Sequence, residues 1–229
     1  VAGVALACFR EYLSLAAAFG LRRAGPLGYA AGLVLLLVPR GDVLMVTLVA
    51  VCALTVMLRS QELRGGLPGA SVLVFGVVYV FGPWRSAVAL HAVSPYWLLL
   101  ALALNWVGDT AAFAAGKTLG RRKLAPRLSP AKTWEGAAAS LAVSLAFGYL
   151  YLHWLLPEVP VPAGLAVCGA GNLAGQVGDL AESLMKRGAG VKDSGNSLPG
   201  HGGWLDRLDS TLFTLPVVHV LLVAFGWAR

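Results

Sequence analysis

The chain has 229 residues, of which 58% are hydrophobic and only 13% charged, with a mean hydropathy of +0.73. Soluble domains carry about 25% charged residues, so this composition excludes an ordinary water-soluble domain and points to a bilayer as solvent. The net charge of +7 sits in short clusters between apolar runs rather than along one face, which argues against nucleic acid and for anionic lipid headgroups.

Apolar runs at about 1–20, 27–38, 43–58, 67–82, 93–115, 137–156, 161–181 and 211–228 predict eight helices. The expected fold is an all-α, polytopic integral membrane protein of about eight transmembrane helices, with 1–229 as a single domain. The chain opens at Val1 inside an apolar run, without an initiator Met, from which we expect a missing N-terminal piece carrying one more helix. Arg10-Glu11 interrupts the first run and reads as a snorkelling pair at the interface, with no chemistry assigned. The second run is short for a span unless it extends back to Ala24 or is covered by neighbours. The break at Pro39-Arg40-Gly41-Asp42 makes it and the third run a helical hairpin. Cys8, Cys52 and Cys168 stand alone in apolar runs, which gives neither a zinc site nor a disulfide framework and predicts small core residues.

Loop charge sets the expected topology. Arg22-Arg23, then Arg59 and Arg64, then Arg121 to Lys132, then Lys186 to Lys192 are basic, and two apolar runs separate each successive pair. All four can lie on one side, which the positive-inside rule makes cytoplasmic. The opposite loops, around Pro39 to Asp42, Pro83 to Ser86 and Pro157 to Pro162, carry few cations.

Asp109 and Asp179 lie inside apolar runs, where an ionisable group usually faces a cavity or a partner. Asp109 stands eight residues before Lys117, and Asp179 seven before Lys186. At about 1.5 Å per residue both sit roughly 10–12 Å inside the basic loops, so they can share one layer and converge on one site. Gly108 and Gly178 precede them and permit close helix packing. Glu182 and Ser183 share the helical face of Asp179, Ser183 being either a weak ligand or a cap.

The run from Ser183 to Asp209 is dense in both charge and glycine. Lys186, Arg187, Lys192 and Arg207 supply cations, and Asp193, Asp206 and Asp209 supply hard oxygen ligands. Its glycines, including Gly202 and Gly203, let backbone approach a ligand. Together these are the parts of a polyphosphate site with Mg²⁺. Asp179 and Asp206, supported by Asp109 or Asp209, form the economical metal set. His201, flanked by glycines, contacts phosphate, transfers a proton or orders the loop; His91, His153 and His219 read as interfacial or packed. A second basic loop, Lys117 to Glu135, offers Lys132 and Arg127 to phosphate. Trp134 there either stacks on a base or belongs to an interfacial belt, and Thr133 and Glu135 fit caps of a helix starting near Gly136.

Both loops carry a resemblance. Ser183, Lys186-Arg187, Lys192-Asp193, Pro199, His201-Gly202-Gly203, Asp206-Arg207 and Asp209 resemble the C-terminal motif of phosphatidate cytidylyltransferases (CDP-diacylglycerol synthases), S-x-x-K-R, four residues, K-D, a spacer and H-G-G-x-x-D-R-x-D. Ser129-Pro130 and Lys132-Thr133 through Glu135-Gly136 resemble the S-P-x-K-T-x-E-G motif of the same family, and Gly108-Asp109-Thr110 its N-D-T. The resemblance covers Asn105 to Asp209. It implies an enzyme joining CTP and phosphatidic acid into CDP-diacylglycerol and pyrophosphate, in a bacterial-type inner membrane with its site facing the cytoplasm.

In that reading residues 1–90 are scaffold and 91–229 the catalytic core. Asp179, Asp206, Lys192 and Asp109 are catalytic, with Mg²⁺, alone or with a second cation, on Asp179, Asp206, Asp109 and Asp209. Ser129, Lys132, Thr133, Ser183, Lys186, Arg187, His201, Gly202, Gly203 and Arg207 bind substrate. The resemblance also suggests a homodimer, which no residue shows. A CTP-dependent lipid-alcohol kinase needs much the same site. An ion-coupled transporter built on Asp109 and Asp179 leaves the basic loops unexplained. A CDP-alcohol phosphotransferase lacks its D-G-x-x-A-R run here.

Overall fold

The computed structural model describes residues 1–20, 25–38, 42–58 and 63–228. Among these the chain is almost entirely helical: α1 (Ala2–Ala18), α2 (Gly25–Leu37), α3 (Asp42–Met57), α4 (Gly66–Val93), α5 (Pro95–Thr118), α6 (Trp134–Leu155), α7 (Val161–Gly188) and α8 (Leu205–Ala224). The expected all-α architecture is what forms. Four helices, α4, α5, α6 and α8, are long and apolar enough to cross a membrane, and the chain is a membrane protein. The expected count of about eight spans is not supported among the described residues: α2 and α3 are apolar but have 13 and 16 residues, and α7 has 28 residues with polar side chains along it. The predicted roles of Arg22-Arg23, of Pro39 to Gly41 and of Arg59 fall outside the described residues.

Two helix ends lie elsewhere than the sequence suggests, and one loop is structured. α4 runs through Pro83 to Val93, so Pro83 to Ser86 is helix and not a loop. In hydrocarbon, opening the helix would leave several backbone groups without partners, whereas the proline removes one N–H. The chain stops instead at Ser94, which is extended (φ −165°, ψ 137°) because Pro95 follows, and whose side chain accepts from the Tyr96 N–H. α7 continues to Gly188, so the first residues of the glycine-rich run are helical. The second basic loop contains a small antiparallel hairpin, β1 (Lys123–Ala125) and β2 (Ser129–Thr133), the one departure from all-α among the described residues.

The chain divides into two compact units, Val1–Arg85 with Met185–Leu208, and Ser86–Leu184 with Asp209–Arg229. The first has an aromatic centre. Phe9 of α1 meets Tyr29 of α2 edge-on at 5.1 Å and Phe81 of α4 at 5.3 Å, and Tyr12 hydrogen-bonds the Val72 carbonyl at 2.9 Å. Arg85 donates to the Leu35 and Val38 carbonyls, closing the C-terminal end of α2. Cys8 is buried here, but Cys52 is exposed on α3, contrary to the expected core position.

In the second unit α5, α6, α7 and the body of α8 pack closely through small residues. A Cβ on Gly108 would come within 2.6 Å of the Asn172 amide, and one on Gly178 within 2.7 Å of the Asp209 carbonyl. The close packing expected at the two glycines before the intramembrane aspartates is therefore present.

Candidate active site

Two clusters collect the candidate residues, one in each unit. The first is built on the connection between α7 and α8. α7 closes with a Schellman turn: Val191 N–H bonds the Lys186 carbonyl at 3.0 Å, Gly190 N–H bonds that of Arg187 at 3.1 Å, and Gly190 takes φ +73°. The chain then folds on itself between Leu198 and Gly202, with Leu198 N–H on the Gly202 carbonyl at 2.9 Å, before α8 begins.

Asp206, in the first turn of α8, is the centre of this cluster. Its Oδ2 accepts from the Ser194 N–H and hydroxyl, both at 2.9 Å, and from the Gly203 N–H at 2.7 Å. Its Oδ1 accepts from Lys186 Nζ at 2.6 Å, and its side chain is only 4% exposed. The Gly203 amide, expected to meet phosphate, is in this structure bonded to Asp206. So is Lys186.

The residue that sequence reasoning missed is Glu11. Read as an interfacial partner of Arg10, it is buried, 4% exposed. Its Oε1 accepts from Ser197 Oγ at 2.6 Å and Trp204 N–H at 3.1 Å; its Oε2 accepts from Leu205 N–H at 2.8 Å and lies 3.1 Å from Ser194 Oγ, whose one proton it shares with Asp206. The only sequence signal was an acid in an apolar run, the same signal that singled out Asp109 and Asp179.

Around this clamp the remaining candidates face outward. Arg187 is exposed and donates to the Val191 carbonyl at 3.1 Å. His201 is exposed, its Nδ1 3.2 Å from the Pro199 carbonyl. Lys192 and Arg207 are exposed. Neither side chain makes a hydrogen bond or ion pair among the described residues, so both are available to an anion.

The second cluster lines a cavity of about 350 Å³ in the second unit. Asp109 of α5, Ser129, Lys132 and Thr133 of β2, and Gln176 and Asp179 of α7 supply its polar wall, and Phe113 and Leu124 part of its apolar one. Asp109 and Asp179, expected to converge, line the same cavity. Lys132 forms an ion pair with Asp179, the two side chains 25% and 31% exposed.

Local chemistry explains why β2 presents Lys132 there. Thr133 caps α6, its Oγ1 accepting from Gly136 N–H at 3.1 Å, so the helix starts at Trp134 rather than near Gly136. Glu135 is not the reciprocal capping partner. It accepts from the Arg121 N–H at 3.1 Å and the Arg122 N–H at 3.2 Å, tying the entry of the hairpin to α6. Trp134 is 59% exposed.

Behind the cavity runs a buried polar chain that the sequence reading did not pick out. Gln176 Nε2 donates to Asn172 Oδ1 at 2.7 Å, and Asn172 Nδ2 to Ser140 and Ser144 Oγ, both at 2.9 Å. Polar groups buried in a helical bundle are held firmly because breaking their bonds leaves them without water. Gln176 is thereby fixed at the cavity wall. The available signal was the i, i+4 spacing of Asn172 with Gln176 and of Ser140 with Ser144.

Ser183 is buried in α7, 8% exposed, next to the fully buried Glu182. Asp209 Oδ1 accepts from the Ser210 N–H at 2.6 Å.

Among the described residues no group of three or more His, Cys, Asp or Glu side chains is placed to hold a metal ion. A nucleotide-borne Mg²⁺ needs fewer: it keeps waters and binds one or two carboxylates plus substrate phosphates. Asp109 and Asp179 on one cavity fit that pattern. Asp206 fits it less well, since three donors already crowd Oδ2 and Lys186 occupies one lone pair of Oδ1.

Residues 1–225 match the profile of the Cytidylyltransferase family. A phosphatidate cytidylyltransferase of Pseudomonas aeruginosa is 39% identical over 216 residues, 89% of this chain and 79% of that protein. Those of Bacillus subtilis (43% over 132 residues) and Staphylococcus aureus (41% over 153) align with 57% and 67% of this chain. The alignments span 48% and 57% of those two proteins, about half their length. With the profile matched along nearly its whole length and both motif loops folded around acidic and basic side chains, the chain belongs to the cytidylyltransferase family.

Proposed function

We propose that the chain acts as a phosphatidate cytidylyltransferase, converting CTP and phosphatidic acid into CDP-diacylglycerol and pyrophosphate. The observation that carries the reading is the cavity in which one lysine and two aspartates meet between helices of a membrane protein. One oxygen of the lipid phosphomonoester attacks the α-phosphorus of CTP. A new P–O–P bridge forms, the bond from the α-phosphorus to the α–β bridging oxygen breaks, and pyrophosphate leaves with the electron pair. No side-chain nucleophile is needed, because the lipid phosphate is one.

Lys132, held by Asp179 in the absence of ligand, exchanges that partner for a phosphate oxygen. Asp109 and Asp179 would hold Mg²⁺ brought in with CTP, which when bound neutralises phosphate charge and aligns the leaving group. The exposed Lys192 and Arg207 collect the incoming polyanion electrostatically. Lys186, fixed by Asp206, adds its positive charge to that field. On this reading the basic loops face the cytoplasm, where CTP is, and the partners are CTP, phosphatidic acid, the bilayer and a second copy of the chain.

The test is incubation of purified protein with phosphatidic acid, labelled CTP and Mg²⁺, with and without chelator. Label entering lipid together with released pyrophosphate, only with the metal, is the expected result. Release of CDP with phosphorylation of an added polyprenol would replace the reading by a lipid-alcohol kinase. Folded protein without nucleotide chemistry toward either acceptor would overturn it.

A further inference from the structure

The proposed reaction leaves Glu11 unused, although its buried carboxylate is bonded to the α7–α8 connection at both oxygens. It reaches that connection from α1, 183 to 194 residues away in sequence. Each oxygen accepts one amide, Oε1 also takes the Ser197 hydroxyl and Oε2 shares the Ser194 hydroxyl with Asp206, so little capacity is left for a metal or a substrate. The two amides, of Trp204 and Leu205, stand at the N-terminal end of α8, where the helix lacks internal acceptors and favours negative charge. Glu11 is therefore a helix cap supplied by another helix.

Its second effect passes through Ser194. That hydroxyl lies 3.1 Å from Glu11 Oε2 and 2.9 Å from Asp206 Oδ2, while the Ser194 amide is committed to Asp206. A Cβ on Gly203 would overlap both the Glu11 carboxylate and the Ser194 hydroxyl. The motif glycine at 203 is thus explained by the approach of Glu11. From Asp206 the chain of bonds ends on Lys186.

We propose that Glu11 is a positioning residue for the motif side chains of the α7–α8 connection: by pinning Ser194, Ser197 and the start of α8 it fixes the Asp206 carboxylate and, through it, the Lys186 ammonium. Its kinetic consequence rests on the function proposed above. α1 then serves the motif connection between α7 and α8 as well as the scaffold.

Glu11→Gln keeps the shape but turns an NH₂ group toward donors. We expect kcat to fall at least about thirtyfold, with the KM for phosphatidic acid within about twofold of wild type, and Glu11→Asp to recover part of the loss. Hydrogen exchange at the Ser194, Gly203, Trp204 and Leu205 amides should quicken at least about tenfold while α5 and α6 stay protected. Unchanged kinetics and unchanged loop exchange would overturn the proposal, as would loss of protection throughout the molecule, the mark of a merely structural role. If Glu11→Gln does not fold, Ser197→Ala decides: it removes the shortest of these bonds from an exposed serine. We expect about a tenfold loss of kcat, and wild-type kinetics with wild-type loop exchange would refute the clamp. Wild-type protein that transfers no cytidylyl group would sink the functional reading alone, because the exchange comparison still tests whether Glu11 holds the loop.

Discussion

Asp206 of the C-terminal motif and Asp179 in the apolar run before it are both candidate acids, and their surroundings are opposite. Asp206 is almost fully buried and accepts from four donors, one of them a lysine that is itself mostly buried. Asp179 is about a third exposed, lines a cavity and has a single ion-pair partner, Lys132, of similar exposure. The difference separates an acid that shapes the chain from one placed to exchange its partner for a ligand. Breaking a buried pair leaves an uncompensated charge in low dielectric, whereas breaking a half-exposed pair returns both groups to solvent.

The largest expected effect follows for Asp206→Asn. The amide cannot serve Lys186 and three other donors as a carboxylate does, so we expect about 3–5 kcal/mol of lost stability together with loss of turnover. Thermal unfolding in detergent measures the first. Wild-type unfolding of this variant would erase the contrast between the two acids. Asp179→Asn should lower turnover by about a hundredfold or more while stability changes by less than about 1 kcal/mol. A variant that fails to fold would show that the Lys132–Asp179 pair is structural after all. Lys132→Ala should raise the KM for CTP by about ten- to a hundredfold, the worth of one charge-assisted hydrogen bond to phosphate, and Lys132→Arg should recover part of it.

How much of this was legible follows from how local each signal is. The Asp206 cluster lies within one run, Ser183 to Asp209, and its residue types declared it. The helices were legible because a bilayer demands long apolar runs, and Asp109 with Asp179 because charge in such runs is rare. Glu11 carried that same signal, but its partners lie nearly the whole chain away and Arg10 beside it offered a sufficient local explanation. Pro83 misled for the opposite reason: the local rule says break, and the missing water overrides it. The hairpin at 123–133 has strands of three and five residues, too short for alternation to register. The Asn172–Gln176 chain was hidden because single polar residues in a helix look alike whether they face lipid, cavity or a neighbour.

The smallest effects sharpen the comparison within the glycine-rich connection itself. Gly190 takes φ +73° with open space where a Cβ would go, so Gly190→Ala meets only the left-handed backbone penalty, about 1–2 kcal/mol. Gly203 is a different case, because its Cβ would press on a carboxylate pinned by three hydrogen bonds and a share of the Ser194 hydroxyl. A side-chain end that could swing away would absorb this at little cost. A clamped one cannot, so Gly203→Ala should cost about 1–3 kcal/mol and reduce turnover as well, whereas Gly190→Ala should leave kcat near wild type. Equal kinetics in the two variants would mean that the Glu11 carboxylate yields freely, and the distinction between a bonded scaffold acid and an available one would then rest on Asp206 alone.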